Sequence, residues 1–196
     1  IGIEFYLIQD KYVNASNKKK SYTNPLAHIK DKYGKLEYDD SKTFHCTAMC
    51  LNEIGYQNIL TLNYLSNLKA SDEVKVDGEN GCFKQKPRIT ERLLFKYSEG
   101  LAITSGCRLS LPNTYYINGF KNEAVELLHQ FNNKCENFFI ELHVAHNEIE
   151  EKMFHFLKEF AFKHNIPTLV SNDYHYVEKG DLKIWTILGG IRRNTT

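Results

Sequence analysis

The sequence predicts an α/β fold in which short strands and amphipathic helices alternate around a parallel sheet. Three observations lead there. Runs such as Gly2–Ile8, Leu101–Thr104 and residues 137–142 are short, apolar and rich in aromatic or branched side chains. Between such runs lie segments whose apolar residues recur at helical spacing, as over 122–131 and 147–164. Strands separated by helices of this length build βα units, which favour parallel pairing. Handedness rules leave a doubly wound sheet or a closed barrel, and the pattern by itself does not choose between them.

Taken in order, Gly2–Ile8 (GIEFYLI) reads as the first strand. The polar stretch 14–42, rich in Lys, Asn, Ser and Asp, is expected to be an extended loop or hairpin. Residues 44–51 form a second candidate strand. Over 52–65, Ile54, Ile59, Leu60, Leu62 and Leu65 approximate a helical stripe, and the polar, Gly-containing stretch 70–86 reads as a loop. Thr90 is placed as the N-cap of a short helix that Gly100 closes. After strand 101–104 comes a helix over 122–131 with Ala124, Val125, Leu127, Leu128 and Phe131 on one face. Strand 137–142 leads to a helix over 147–164 that repeats Ile149, Met153, Phe156, Leu157, Phe160 and Ala161. Strand 167–171 and a helix over 181–191 end the pattern.

A chain of 196 residues fits one domain with a sizeable core, and 42% hydrophobic content excludes disorder as the default. The net charge of +1 does not force a nucleic-acid or membrane partner. The basic clusters at Lys18-Lys19-Lys20 and Arg192-Arg193 read as a solvated loop and a solvated chain end. Cys46, Cys50, Cys82, Cys107 and Cys135 are odd in number and hold no Cys-x-x-Cys pair. That argues against a disulfide framework and for a reducing, cytoplasmic compartment. No apolar run reaches the roughly 18–20 residues of a membrane span. The chain opens on a strand-like run, without an initiator Met or the charged start of a signal peptide, so Ile1 is not expected to be the natural first residue.

Functional side chains in such folds gather beyond the carboxyl ends of the strands. Two junctions fit. Residues 168–170 run into Ser171-Asn172-Asp173-Tyr174-His175-Tyr176, and Leu101–Thr104 runs into Ser105-Gly106-Cys107. Carboxylate, imidazole and thiolate are suitable donors for a zinc-like or manganese-like ion. Taken singly, each residue has a plainer reading. A lone Cys after a strand is commonly a small core residue, and a His between two tyrosines is commonly packed or exposed. His143 and His146 follow a strand and are placed to reach a phosphate or an extra ion, although a polar βα loop explains them more simply. His28, His129, His155 and His164 read as surface or boundary residues. Tyr115, Tyr116 and Trp185 read as packing, because no basic groove surrounds them for base stacking.

Longer stretches carry a resemblance. Ser171-Asn172-Asp173-Tyr174-His175-Tyr176, Lys96-Tyr97-Ser98-Glu99-Gly100-Leu101 with Ser105-Gly106-Cys107, and Phe44-His45-Cys46-Thr47 occur in the order of one family's motifs. So do Asn52-Glu53-x-Gly55-Tyr56-x-Asn58, Lys86-Pro87-Arg88-Ile89, Asn137-Phe138-Phe139-Ile140-Glu141-Leu142 and the opening Ile1-Gly2-Ile3-Glu4-Phe5-Tyr6. Over nearly its whole length the chain resembles the polymerase-and-histidinol-phosphatase (PHP) domain of bacterial DNA polymerase III alpha subunits.

That resemblance implies a distorted, TIM-barrel-like βα barrel spanning 1–196, with divalent ions, zinc or manganese, at its carboxyl-end face. The family's ligands fall on Glu4, His45, Cys107, Asp173 and His175, and Arg88, His143 and His146 become candidates for contacting substrate phosphate. His45 obeys the strand rule poorly, since it precedes its strand. The family also draws on a His-x-His pair, an acidic residue and a further His upstream of the Gly-Ile-Glu strand, so the domain is expected to be N-terminally incomplete here. Glu141-Leu142-His143 and Leu109-Ser110-Leu111-Pro112 depart from the family's pattern, which bears on the substrate channel.

The implied function is a metal-dependent phosphoesterase or 3′–5′ exonuclease domain within a DNA-directed DNA polymerase. DNA and other replisome subunits would be its partners, with no membrane involved. The rival reading is a metal-poor structural module that stabilises the polymerase or docks a proofreading subunit. A stand-alone phosphatase fits the Lys-Tyr-Ser-Glu-Gly-Leu and Asn-Glu-x-Gly-Tyr stretches less well. No Asp-x-Asp polymerase motif is present, so nucleotide addition would reside elsewhere.

Overall fold

The computed structural model describes residues 1–9, 43–69, 72–73, 75–83, 87–145, 147–172 and 174–193. The loop or hairpin expected at 14–42 lies outside them, as do Asp173 and His146.

Strands β1 (Gly2–Ile8) and β2 (Phe44–Cys50) show a two-residue alternation. Phe5, Leu7, Phe44, Cys46 and Ala48 are buried, while the intervening Glu4, Tyr6, His45 and Met49 are more open. Helix α1 (Glu53–Asn67) begins where the Asn52 side chain accepts the Gly55 amide at 2.9 Å. It buries Gly55, Ile59, Leu62, Leu65 and Ser66, a stripe at helical spacing. Ile54 and Leu60 stand off that stripe, so both are largely exposed despite the expectation that they share it.

The described part of 70–86 is a loop, turned at Asp77 and Gly78, which both have positive φ. Strand β3 (Ile89–Thr90) is only two residues long and passes into α2 (Glu91–Lys96), whose Leu93 amide donates to the Thr90 hydroxyl at 3.2 Å. Then come β4 (Leu101–Thr104), α3 (Leu111–Ile117), α4 (Lys121–Lys134), β5 (Asn137–His143), α5 (Glu148–His164) and β6 (Thr168–Ser171). A 3₁₀ turn at Lys179–Asp181 leads into α6 (Leu182–Arg193). Helix α3 is absent from the sequence-based expectation, since its seven residues make too few turns to show a period. Pro112 in its first turn and the buried Leu111 and Tyr115 hold it in place.

The strand order is β3-β1-β2-β4-β5-β6. Five strands run one way, but β2 is antiparallel to both β1 and β4. The expectation of a parallel sheet is corrected at that strand. Alternation tells which face a residue occupies and is silent on the direction of the strand. Among the described residues the sheet is open, with β3 and β6 at its edges, a mixed α/β arrangement consistent with the TIM-barrel-like expectation.

Helices cover one face of this sheet. Leu62, Leu65, Leu101, Ile103, Leu128 and Ile140 are fully buried there, each contributing about 1.5–3 kcal/mol through lost apolar hydration. Two stretches distant in sequence interlock on this side. The Leu51 amide donates to the Gly100 carbonyl at 2.9 Å, and Asn58 Nδ2 to the Glu99 carbonyl at 2.8 Å. A Cβ on Gly55 would stand 1.9 Å from the Gly100 oxygen. Both glycines are therefore required by close backbone approach.

Candidate functional site

Reversal of β2 assembles the site. Tyr6 pairs with His45 and Leu7 with Phe44, so the start of β2 lies beside the end of β1. On its other side β2 pairs with β4 with Ala48 opposite Ile103, which brings its first residues level with the turn after Thr104. His45 thus reaches the carboxyl-end edge from the wrong end of its own strand. The strand rule holds for the edge, not for the chain direction.

Glu4 and His45 are diagonal neighbours on the open face, and Glu4 Oε1 contacts His45 Nδ1. Cys107 Sγ lies 3.6 Å from the same nitrogen. Tyr6 packs edge-on against the His45 ring, with centroids 5.6 Å apart. Cys107 is held by its loop. Gly106 has φ +70, and Asn113 Nδ2 donates to the carbonyls of Ser105, Gly106 and Cys107 at 3.4, 2.9 and 3.0 Å. The Leu109 amide donates to Cys107 Sγ at 3.4 Å, which fixes the position of the sulfur within the loop. The His45 amide in turn donates to the Leu109 carbonyl at 3.0 Å, which docks the loop on β2.

A second polar cluster occupies the same face one strand further on. Alternation along β5 sends Phe138, Ile140 and Leu142 into the core and Glu141 and His143 the other way. Glu141 accepts hydrogen bonds from Thr104 Oγ1, from Ser171 Oγ and, at 3.0 Å, from His143 Nε2. Burial of the carboxyl works to raise its pKa, but the His143, Ser171 and Thr104 donors outweigh it and hold the group down at about 2. It is therefore a charged carboxylate with little exposed surface.

Of the residues singled out from sequence, Glu4, His45 and Cys107 come together. His143 is tied to Glu141 beside them. His175 lies beyond β6, where its ring meets Trp185 edge-on at 5.4 Å. Arg88 is buried and gives its Nε proton to the Cys82 carbonyl at 2.7 Å. Asp173 and His146 fall outside the described residues. Among the described residues no three His, Cys, Asp or Glu side chains are grouped so as to hold an ion. The donor chemistry at Glu4, His45 and Cys107 nevertheless suits a borderline-soft divalent cation, combining carboxylate, imidazole and thiol.

Thr104, Ser171 and Asn113 were missed as site residues, and Glu141 was noticed only as part of a motif. A charged residue in the open phase of an otherwise apolar strand was the available signal for Glu141. Ser171 and Thr104 stood at the two strand-end junctions without a role of their own, since hydroxyl side chains are common there, and nothing in the sequence marked Asn113.

Comparisons with known proteins identify the family of the chain. The model of the PHP domain family matches residues 1–145, more than half of the chain, and the chain belongs to that family. Among curated proteins it is similar to the DNA polymerase III subunit alpha of Treponema pallidum, with 30% identity over 140 residues, covering 70% of this chain and 11% of that protein. The subunit of the same name from Thermus aquaticus is 28% identical over 158 residues, or 80% of this chain and 12% of the relative. That of Borreliella burgdorferi is 29% identical over 187 residues, or 92% and 13%. The chain thus spans 11–13% of the length of these relatives. No helix among the described residues is long and apolar enough to cross a membrane.

Proposed function

We propose that this chain is the PHP region, spanning 1–196, of a DNA polymerase III alpha-type subunit. In this reading its sheet edge carries a metal-dependent phosphodiester-hydrolysing site of the 3′–5′ exonuclease kind. Glu4, His45, Cys107, Asp173 and His175 are its ligands, DNA is the substrate, other replisome subunits are partners of the whole protein, and the compartment is the cytoplasm. The observation that carries the reading is the convergence of Glu4 from β1, His45 from β2 and Cys107 from the loop after β4 around one imidazole nitrogen.

Zinc or manganese bound there would neutralise phosphodiester oxygens and lower the pKa of a water. The chain's own residues prepare for this. Glu4 Oε1 meets the His45 ring at Nδ1, and the Leu109 amide holds the Cys107 sulfur in place beside that nitrogen. Glu141 fixes His143 through Nε2, so a substrate phosphate would meet that imidazole through Nδ1. Arg88 and His146 remain the further phosphate candidates.

The test combines metal analysis of the purified natural protein with release of nucleotides from a 3′-labelled oligonucleotide in Mn²⁺ or Zn²⁺. His45→Ala and Cys107→Ser should each lower bound metal and nucleotide release together. Release that survives both substitutions would place hydrolysis elsewhere. The second reading is a structural module that supports the polymerase or docks a proofreading subunit, and the lack of a three-residue ion group among the described residues favours it. Metal-free protein with unaltered stability and subunit assembly would decide for that alternative.

A further inference from the structure

We infer that Glu141 is a positioning residue that sets the spacing between the loops after β4 and β6, which carry Cys107 and His175. The inference rests on the metal-site reading above. Thr104 is the last residue of β4, and Ser171 is the last of β6. Glu141 lies on the strand between them. In the register, Thr104 is opposite Phe139 and Ser171 opposite His143, so Glu141 is diagonal to both and on their face. One carboxylate therefore receives a hydroxyl from each flanking strand at the point where that strand becomes a loop.

The connection continues into the Cys107 loop. The Gly106 amide donates to Thr104 Oγ1 at 3.2 Å, so Thr104 accepts from the loop while it donates to Glu141. Ser105 Oγ accepts the Glu141 amide at 2.9 Å, and the Ser105 amide donates to the Phe139 carbonyl at 2.9 Å. Loop and β5 are thereby joined by side chain and backbone. Three donors meet two carboxylate oxygens. A glutamine there has one acceptor oxygen and one NH₂ donor, so it cannot accept all three with the same geometry. With the NH₂ toward Thr104, the Thr104 hydroxyl would have to reverse and its oxygen would accept from both that NH₂ and the Gly106 amide, which weakens the Gly106 bond.

The experiment compares the full natural protein with Glu141→Gln and with the control Glu136→Gln, whose carboxylate accepts the Gly100 amide at 2.7 Å near the other end of β4. Two readouts are taken, hydrogen exchange at the Gly106 amide and the Kd for Mn²⁺ from a spectroscopic titration. Glu141→Gln should raise exchange at Gly106 and weaken Mn²⁺ binding by about 10–100-fold, while Glu136→Gln leaves both near the native values. Adding Thr104→Val to Glu141→Gln should cost less than the sum of the two single substitutions, because the two residues share one of their hydrogen bonds. Native-like exchange and Mn²⁺ affinity in Glu141→Gln would overturn the inference, and so would fully additive effects of the two substitutions. If the natural protein takes up no Mn²⁺, the metal reading fails. The Gly106 exchange then decides the brace alone, a rise in Glu141→Gln supporting it and no change refuting it.

Discussion

Replacing Gly100 by alanine probes the joint between α1 and the turn before β4. Gly100 has φ +68, where an L side chain costs about 1 kcal/mol. The added Cβ would also stand 2.3 Å from Asn52 Oδ1 and 2.6 Å from the Gly55 nitrogen. Those atoms are the acceptor and donor of the α1 cap, whose loss costs about 1 kcal/mol. Overpacking against backbone adds about 1 kcal/mol or more, so the expected loss is about 3 kcal/mol. Gly119 provides the control, since it has φ +86 but nothing within 4 Å of an added Cβ. Gly119→Ala should therefore cost only the first part, about 1 kcal/mol. Urea denaturation measures both, through midpoint shifts at unchanged slope. Equal destabilisation by the two substitutions would refute the claim that Gly100 is set by close approach to the cap.

Three further outcomes are expected. Cys46 and Cys135 are buried, with thiols pushed up by burial (Cys135 to about 12), and Cys82 is buried as well, which leaves Cys50 and Cys107 as the accessible pair. With metal bound, alkylation of Cys107 should be slow relative to Cys50 and should rise on chelation while circular dichroism is unchanged; a Cys107 rate indifferent to chelator removes it from the ligand set. Glu141 is held down at about 2 against an ordinary 4.5, so its stabilisation is complete above about 4.5 and is lost as pH falls through 2. The stability gap between the natural protein and Glu141→Gln, about 2 kcal/mol near neutrality after allowance for solvent, should narrow over that window; a gap independent of pH down to 2 contradicts the charged assignment. Primer extension by this chain alone should be blank, since no Asp-x-Asp pair is present to hold two ions; template-directed incorporation would show the polymerase centre to lie within it.

Local chemistry made most elements legible. Asn52, Thr90 and Asn147 are residues that cap helices, and each accepts an amide at the start of one. The periodic faces around Leu127–Leu128 and Phe156–Leu157 are buried where the pattern puts them, except at Ile149 in the first turn of α5, which is exposed. Helix α3 escaped because one and a half turns carry no period, and Ile54 was misplaced because α1 buries a narrower stripe than its apolar residues suggest.

The sequence by itself determined the fold class, the placing of most strands and helices, and the motif matches that point to Glu4, His45 and Cys107. Those depend on local periodicity and residue chemistry. Only the tertiary structure decided that β2 runs against its neighbours, and with it that His45 reaches the same edge as Cys107. It also decided that Gly55 faces Gly100, and that Glu141 gathers hydroxyls from two other strands. Strand direction and cross-strand contact depend on which distant segments pair. Alternation along a strand is the same in either direction, so no single stretch of sequence records the choice.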